Sequence, residues 1–161
     1  MAFNNQLWVI GGNDGSPKND IWTLKDGISW TEVTVNASFS PRQYHQSLVF
    51  DNKLWVIGGG FENDVWSSID GYTWAAATPN VKFPVHFEYE AIAFKNQLWL
   101  IGGLDDAFNP SNNVWASSDG VIWAEVSRNA VFFPRFGHQA VSFNNQLWSI
   151  GGSDSNLKND I

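Results

Sequence analysis

The sequence predicts an all-β fold made of repeated four-stranded antiparallel meanders. Three observations carry this. A ten-residue phrase occurs four times, as FNNQLWVIGG from Phe3, FDNKLWVIGG from Phe50, FKNQLWLIGG from Phe94 and FNNQLWSIGG from Phe143. The copies lie 47, 44 and 49 residues apart, a period typical of structural repeats that stack on one another. Within each period the apolar segments are short and bounded by Gly, Asn or Asp, and none has helical periodicity over a useful length.

The period from His45 shows the elements in order. HQSLVF alternates apolar and polar residues, as a half-buried strand does. KLWVIGG is apolar on both faces and closes at Gly58-Gly59. NDVWSS follows and ends near Asp70-Gly71, and YTWAAAT completes the unit. Asp51-Asn52, Lys95-Asn96 and Asn144-Asn145 separate first from second strands, while Asp26-Gly27, Asp70-Gly71 and Asp119-Gly120 separate third from fourth. Such residues tolerate the positive φ that tight hairpins require. The paired glycines after the second strands, Gly58-Gly59 and Gly102-Gly103, are expected at positive φ or against a neighbouring backbone.

Four-stranded sheets at this period indicate a β-propeller. The expected architecture is an incomplete ring of about three and a half blades per chain, read as one partial propeller over 1–161. Blade 1 contributes strands two to four over 1–34, blade 2 spans 42–79, blade 3 spans 86–127, and a partial blade 4 covers 135–161. Both ends fall inside a strand, which reads as a piece cut from a longer propeller. Propellers have ~4–8 blades, and an open arc would expose apolar faces and strand edges. A homodimer that closes the ring is therefore expected, with His138 to Phe143 of one copy beside Leu7 to Ile10 of the other.

The ten tryptophans fall in three registers: Trp8, Trp55, Trp99 and Trp148 in second strands, Trp22, Trp66 and Trp115 in third strands, and Trp30, Trp74 and Trp123 in fourth strands. A sugar-stacking platform and a packed inter-blade core both use such a series. The core reading is the stronger, because an aromatic buries ~150–250 Å² and neighbouring sheets need large residues at matched positions. Trp55, Trp66, Trp99 and Trp115 are expected to be largely buried.

Composition narrows the function classes. The net charge is −7, which points away from nucleic acid and anionic membrane surfaces. No apolar run is long enough for a membrane span. Cysteine is absent, so no disulfide or thiolate chemistry is available. The Asn- and Asp-rich loops lack the spacing of a calcium loop and read as turns.

Several motifs recur together. Gly-Gly closes the second strand, NDVW lies in the third, a Trp opens the fourth, and PRxxH precedes the first at Pro41-Arg42 to His45 and Pro134-Arg135 to His138. This pattern resembles kelch repeats along the whole chain. The phrases SSIDGYTW and SSDGVIW resemble a bacterial, galactose-oxidase-like subgroup, which implies an exported or cell-surface protein. The resemblance implies that the first strand of each blade lines a central channel. The residues just before it then gather at the channel mouth: Arg42, Tyr44, His45, His86, Glu88, Tyr89, Glu90, Arg135 and His138. Two readings of these remain open. They bind a ligand, or they hold loops and carbonyls of adjacent blades. VHFEYEA in the middle copy departs from the repeat, which directs attention to His86, Glu88 and Glu90.

Neither a catalytic set, nor a metal site, nor a cofactor is expected. Kelch-type copper oxidases need a Cys-modified Tyr, and no phosphate loop, HExxH or GxSxG occurs. The expected function is a non-enzymatic binding or scaffold module that presents loops to a protein or glycan and associates with itself. The alternatives are a fragment of a lyase, epimerase or hydrolase-like propeller with an incomplete site, or a chain made to study propeller assembly.

Overall fold

The computed structural model describes residues 1–81, 83 and 87–161. Among these residues there are fourteen strands and no helix. The first sheet holds β1 (Ala2–Phe3), β2 (Gln6–Asn13), β3 (Pro17–Leu24) and β4 (Trp30–Thr34). The second holds β5 (Gln46–Phe50), β6 (Lys53–Gly59), β7 (Glu62–Ser68) and β8 (Ala75–Thr78). The third holds β9 (Glu90–Phe94), β10 (Gln97–Ile101), β11 (Val114–Ser117) and β12 (Ala124–Ser127). The last is a pair, β13 (Gln139–Phe143) and β14 (Gln146–Ile150). Strands pair antiparallel in chain order in every sheet. These are propeller blades, and the sheets do not close into a ring.

The turns follow from their residues. Asn4-Asn5, Asp51-Asn52, Lys95-Asn96 and Asn144-Asn145 all have both φ values positive, the geometry of a two-residue hairpin that matches strand twist. In the third-to-fourth turns an Asp carboxylate accepts two backbone N–H bonds. Asp70 Oδ1 lies 2.8 Å from the nitrogens of Tyr72 and Thr73, and Asp119 does the same for Val121 and Ile122. These bonds hold both carboxyls below the usual carboxylate range.

The core lies between neighbouring blades. Trp8, Ile10, Ile21, Phe39, Leu54, Val56 and Trp74 fill the first seam. Trp55, Ile57, Val65, Phe83, Leu98, Leu100 and Trp123 fill the second. Trp8 on β2 and Trp55 on β6 each lie on the turn glycine of the next blade. A Cβ on Gly71 would stand 2.2 Å from the Trp8 ring, and one on Gly120 would stand 2.2 Å from the Trp55 ring. Only glycine allows that approach.

Trp55 is buried, and Trp66, Trp99 and Trp115 are partly buried, Trp66 and Trp115 against the two seams. Trp74 and Trp123 are more deeply buried. Trp66 packs against the first seam near Phe39, and its Nε1 donates to Asp64 at 2.6 Å. Trp74 and Trp123 pack onto Phe39 and Phe83, edge to face at 5.3 and 5.2 Å. Trp99 has no following turn glycine over it among the described residues.

Candidate ligand-binding site

The nine mouth residues separate into two sets. Arg42, His45, Tyr89, Arg135 and His138 point into the protein. Tyr44 is exposed, and Glu88 and Glu90 are partly exposed. His86 lies outside the described residues.

Arg42 is buried and fully engaged. Its Nη1 donates to Gly58 O at 2.9 Å and to Asp64 Oδ1 at 2.6 Å, its Nη2 reaches Asp64 Oδ2 at 3.1 Å, and its Nε reaches Ser40 O at 3.1 Å. Arg135 repeats this with Gly151 O at 2.8 Å and with Asp160 at 2.9 and 2.7 Å. The forked guanidinium therefore ties the loop before a blade to that blade's glycine turn and third-strand Asp. The sequence carries a signal for the coupling. Where Arg42 and Arg135 have Asp64 and Asp160, the middle copy has His86 and Asn113.

His45 donates from Nε2 to Ile10 O across the seam at 2.9 Å. Tyr89, at the equivalent position, donates its hydroxyl to Ile57 O at 2.7 Å. The departure VHFEYEA thus keeps the cross-blade donor and changes its chemical type. Burial pushes the Tyr89 hydroxyl well above its usual range, so it stays a donor at any working pH. Burial also holds the His45 and His138 imidazoles down at about 4. Both are neutral in the folded chain near pH 7.

Glu90 stands on the inner strand β9, and Gln139 Nε2 of β13 donates to its Oε1 at 2.6 Å. Burial raises the Glu90 carboxyl to about 7. A sign follows for each group. The unfolded chain protonates histidine near 6.5 and the folded chain only near 4, so stability from His45 and His138 is lost as pH falls through that window. Glu90 acts oppositely. The unfolded chain loses its proton near 4.5 and the folded chain near 7, so stability declines as pH rises across that interval. Glu90→Gln should therefore stabilise the chain at pH 7.5 by about 1 kcal/mol, discounted for partial solvent screening, and leave it unchanged at pH 4.5. Urea unfolding at the two pH values checks this.

Tyr44 and Glu88 occupy the same repeat position and share one groove. Gln43, Tyr44, Gly60, Phe61, Phe87, Glu88, Leu104 and Phe108 line a cleft of about 300 Å³ between the loops of the second and third blades. Phe87 is the buried floor. Phe108 stacks on it at 5.2 Å with 10° between planes, and Phe61 meets it edge to face at 5.4 Å. Phe61, Phe108 and Tyr44 are exposed. Tyr44, Glu88 and Phe108 hold φ of 59°, 54° and 61°, uncommon for bulky side chains and found disproportionately at ligand sites. The aromatic members Phe61, Phe87 and Phe108 are not apparent from the repeat pattern. The insertion AFNPSN before β11 marks one of their loops. Among the described residues no group of three His, Cys, Asp or Glu could hold a metal ion.

Residues 1–87 match the family model described as the DUF6242 beta propeller domain. Kelch-like protein 21 of Danio rerio is 37% identical over 59 residues, which is 35% of this chain and 9% of that protein. Kelch-like protein 21 of Bos taurus and that of Mus musculus are 37% identical over 59 residues, 35% of this chain and 10% of each relative. The matched stretch thus spans about a tenth of these relatives' length.

Proposed function

Because the chain belongs to the DUF6242 beta propeller domain family, and its blades carry kelch-type motifs, we propose that it is a binding or scaffold module. It takes a protein or glycan ligand in the groove between the second and third blades, and it associates with itself to complete a ring. One observation carries the ligand reading: exposed aromatic rings from separate loops, Tyr44, Phe61 and Phe108, are assembled over the buried Phe87 beside the Glu88 carboxylate. Exposed aromatics on a rigid sheet scaffold supply contact area at small entropic cost. Arg42, His45 and Tyr89 tie the loops flanking this groove to neighbouring turns and carbonyls. The galactose-oxidase-like bacterial type, with its exported location, belongs to the same proposal and rests on the SSIDGYTW and SSDGVIW phrases.

The test is selection of displayed peptides, and saturation-transfer NMR with neutral oligosaccharides, on the chain and on its Phe61→Ala/Phe108→Ala variant. Binding that weakens at least about tenfold in the variant supports the groove, since a well-packed aromatic contact contributes ~1–2 kcal/mol or more. Ligands that bind both proteins equally reject it.

A further inference from the structure

Two finished seams and one unfinished one share a single design. In the finished seams Trp8 covers Gly71 and Trp55 covers Gly120. The equivalent turn glycine of the first blade, Gly27, has nothing within 4 Å of a Cβ built on it. Its neighbour Trp30 is 47% exposed, whereas Trp74 and Trp123 are 5% and 6% exposed. At the other end Trp99 is the counterpart of Trp8 and Trp55. It lines an open groove of about 570 Å³ with Ile101, Phe132, Leu147 and Ser149. Phe132 is half-buried there, while Phe39 and Phe83 at the equivalent positions are buried. One chain therefore carries a tryptophan with no turn glycine over it and a turn glycine with no tryptophan on it.

We infer that these halves meet between two copies of the chain, and that β14 is a placeholder exchanged for the partner's β2. The inference rests on the self-association reading above. Residues 143–161 repeat residues 3–21 with changes at five positions. One change decides the fit: Val9 corresponds to Ser149. Ser149 lines the Trp99 groove, and its Oγ is buried with no hydrogen-bond partner among the described residues. The same position holds the buried Val56 and Leu100 in the finished seams. A buried hydroxyl without a partner is destabilising, and an apolar group of similar size is not. Val9 is exposed in its own chain and suits the seat that Ser149 fills poorly.

The exchange satisfies the remaining groups. β13 pairs with β14 with Val141 opposite Trp148, and β2 offers Trp8 in the same register. The incoming β2 brings β3 and β4 with it, which sets Gly27 under Trp99 and Trp30 against Phe132. Phe143, now exposed, takes the buried position of Phe3, and the two-residue β1 gives way to β13. A second, identical exchange closes the ring by two-fold symmetry. Three four-stranded sheets from each copy give six blades, within the ~4–8 that propellers use.

Light scattering on the 161-residue chain and four variants tests this. The chain should show twice its 18.0 kDa mass at micromolar concentration. Gly27→Ala meets nothing in its own chain but blocks Trp99 of the partner, so dimer affinity should fall at least about tenfold. Gly15→Ala, at another open glycine with φ of +115°, controls for backbone strain and should remain dimeric. Ser149→Val improves the placeholder and should shift the equilibrium toward monomer. Trp148→Ala should remain dimeric, because β14 leaves the seam. A dimer lost with Trp148→Ala and indifferent to Ser149→Val would mean that β14 stays and docks, which overturns the exchange. A dimer indifferent to Gly27→Ala overturns the seat and leaves self-association standing. A mass of 18.0 kDa at all concentrations overturns both.

Discussion

Gly59→Val is expected to destabilise the chain by about 4 kcal/mol or more in urea unfolding. Two effects combine at this position. Gly59 holds φ of +94°, which a β-branched residue adopts only under strain. A Cβ there would also stand 2.5 to 2.6 Å from the Cβ, Cα and backbone nitrogen of His45. That contact is with the loop before the inner strand, whose position is already fixed by His45 bonding to Ile10 across the seam. The loop cannot withdraw without releasing that bond. Gly60→Ala separates the two effects, since Gly60 has φ of +61° and nothing within 4 Å. It should cost about 1 kcal/mol, from backbone conformation alone. Equal losses at Gly59 and Gly60 would show that the close approach to His45 contributes nothing.

Arg42→Met should cost about 3–5 kcal/mol, because in a nearly dry site it removes the side-chain donor to Gly58 O and leaves the Asp64 carboxylate without its cation, with Trp66 Nε1 still donating to it. The repeat supplies its own control, because the middle copy has His86 and Asn113 at the sequence positions of Arg42 and Asp64. Arg42→His alone should be strongly destabilising. Arg42→His combined with Asp64→Asn should recover at least about 1 kcal/mol relative to the sum of the single variants. Additive losses would mean that the two positions act independently.

The fold was legible because its determinants are short and repeated. Hairpin turns are announced by Asn and Asp pairs, second-strand ends by Gly-Gly, and third-to-fourth turns by Asp-Gly. Each of these requires a backbone conformation that few residues adopt, so composition and geometry are tightly linked. Tryptophan burial was legible only in part. Strand alternation places an indole on a face but does not say how far from the channel axis that face is covered. Trp66 and Trp74 differ in this respect and look alike in sequence. The residues before each inner strand share repeat positions in the sequence, but the direction each side chain takes was not legible there. Tyr44 and His45 are adjacent in the chain; one is exposed at positive φ, while the other donates across a seam. The aromatic groove draws Phe61, Phe87 and Phe108 from different loops, and loops carry no period by which such a meeting could be read.

The central claim is that a second-strand tryptophan seated on the next blade's turn glycine builds this propeller, and that the chain presents one such seat open at each end. Proton chemical shifts of the turn glycines measure it most directly. The hydrogen that glycine carries in place of a side chain points at the indole ring in Gly71 and Gly120. Ring-current shifts should therefore move the α-protons of Gly71 and Gly120 upfield at every concentration. Gly27 should lie near its unstructured value in dilute solution and move upfield with the other two as the chain associates. Unshifted protons at Gly71 and Gly120 would contradict the seam itself.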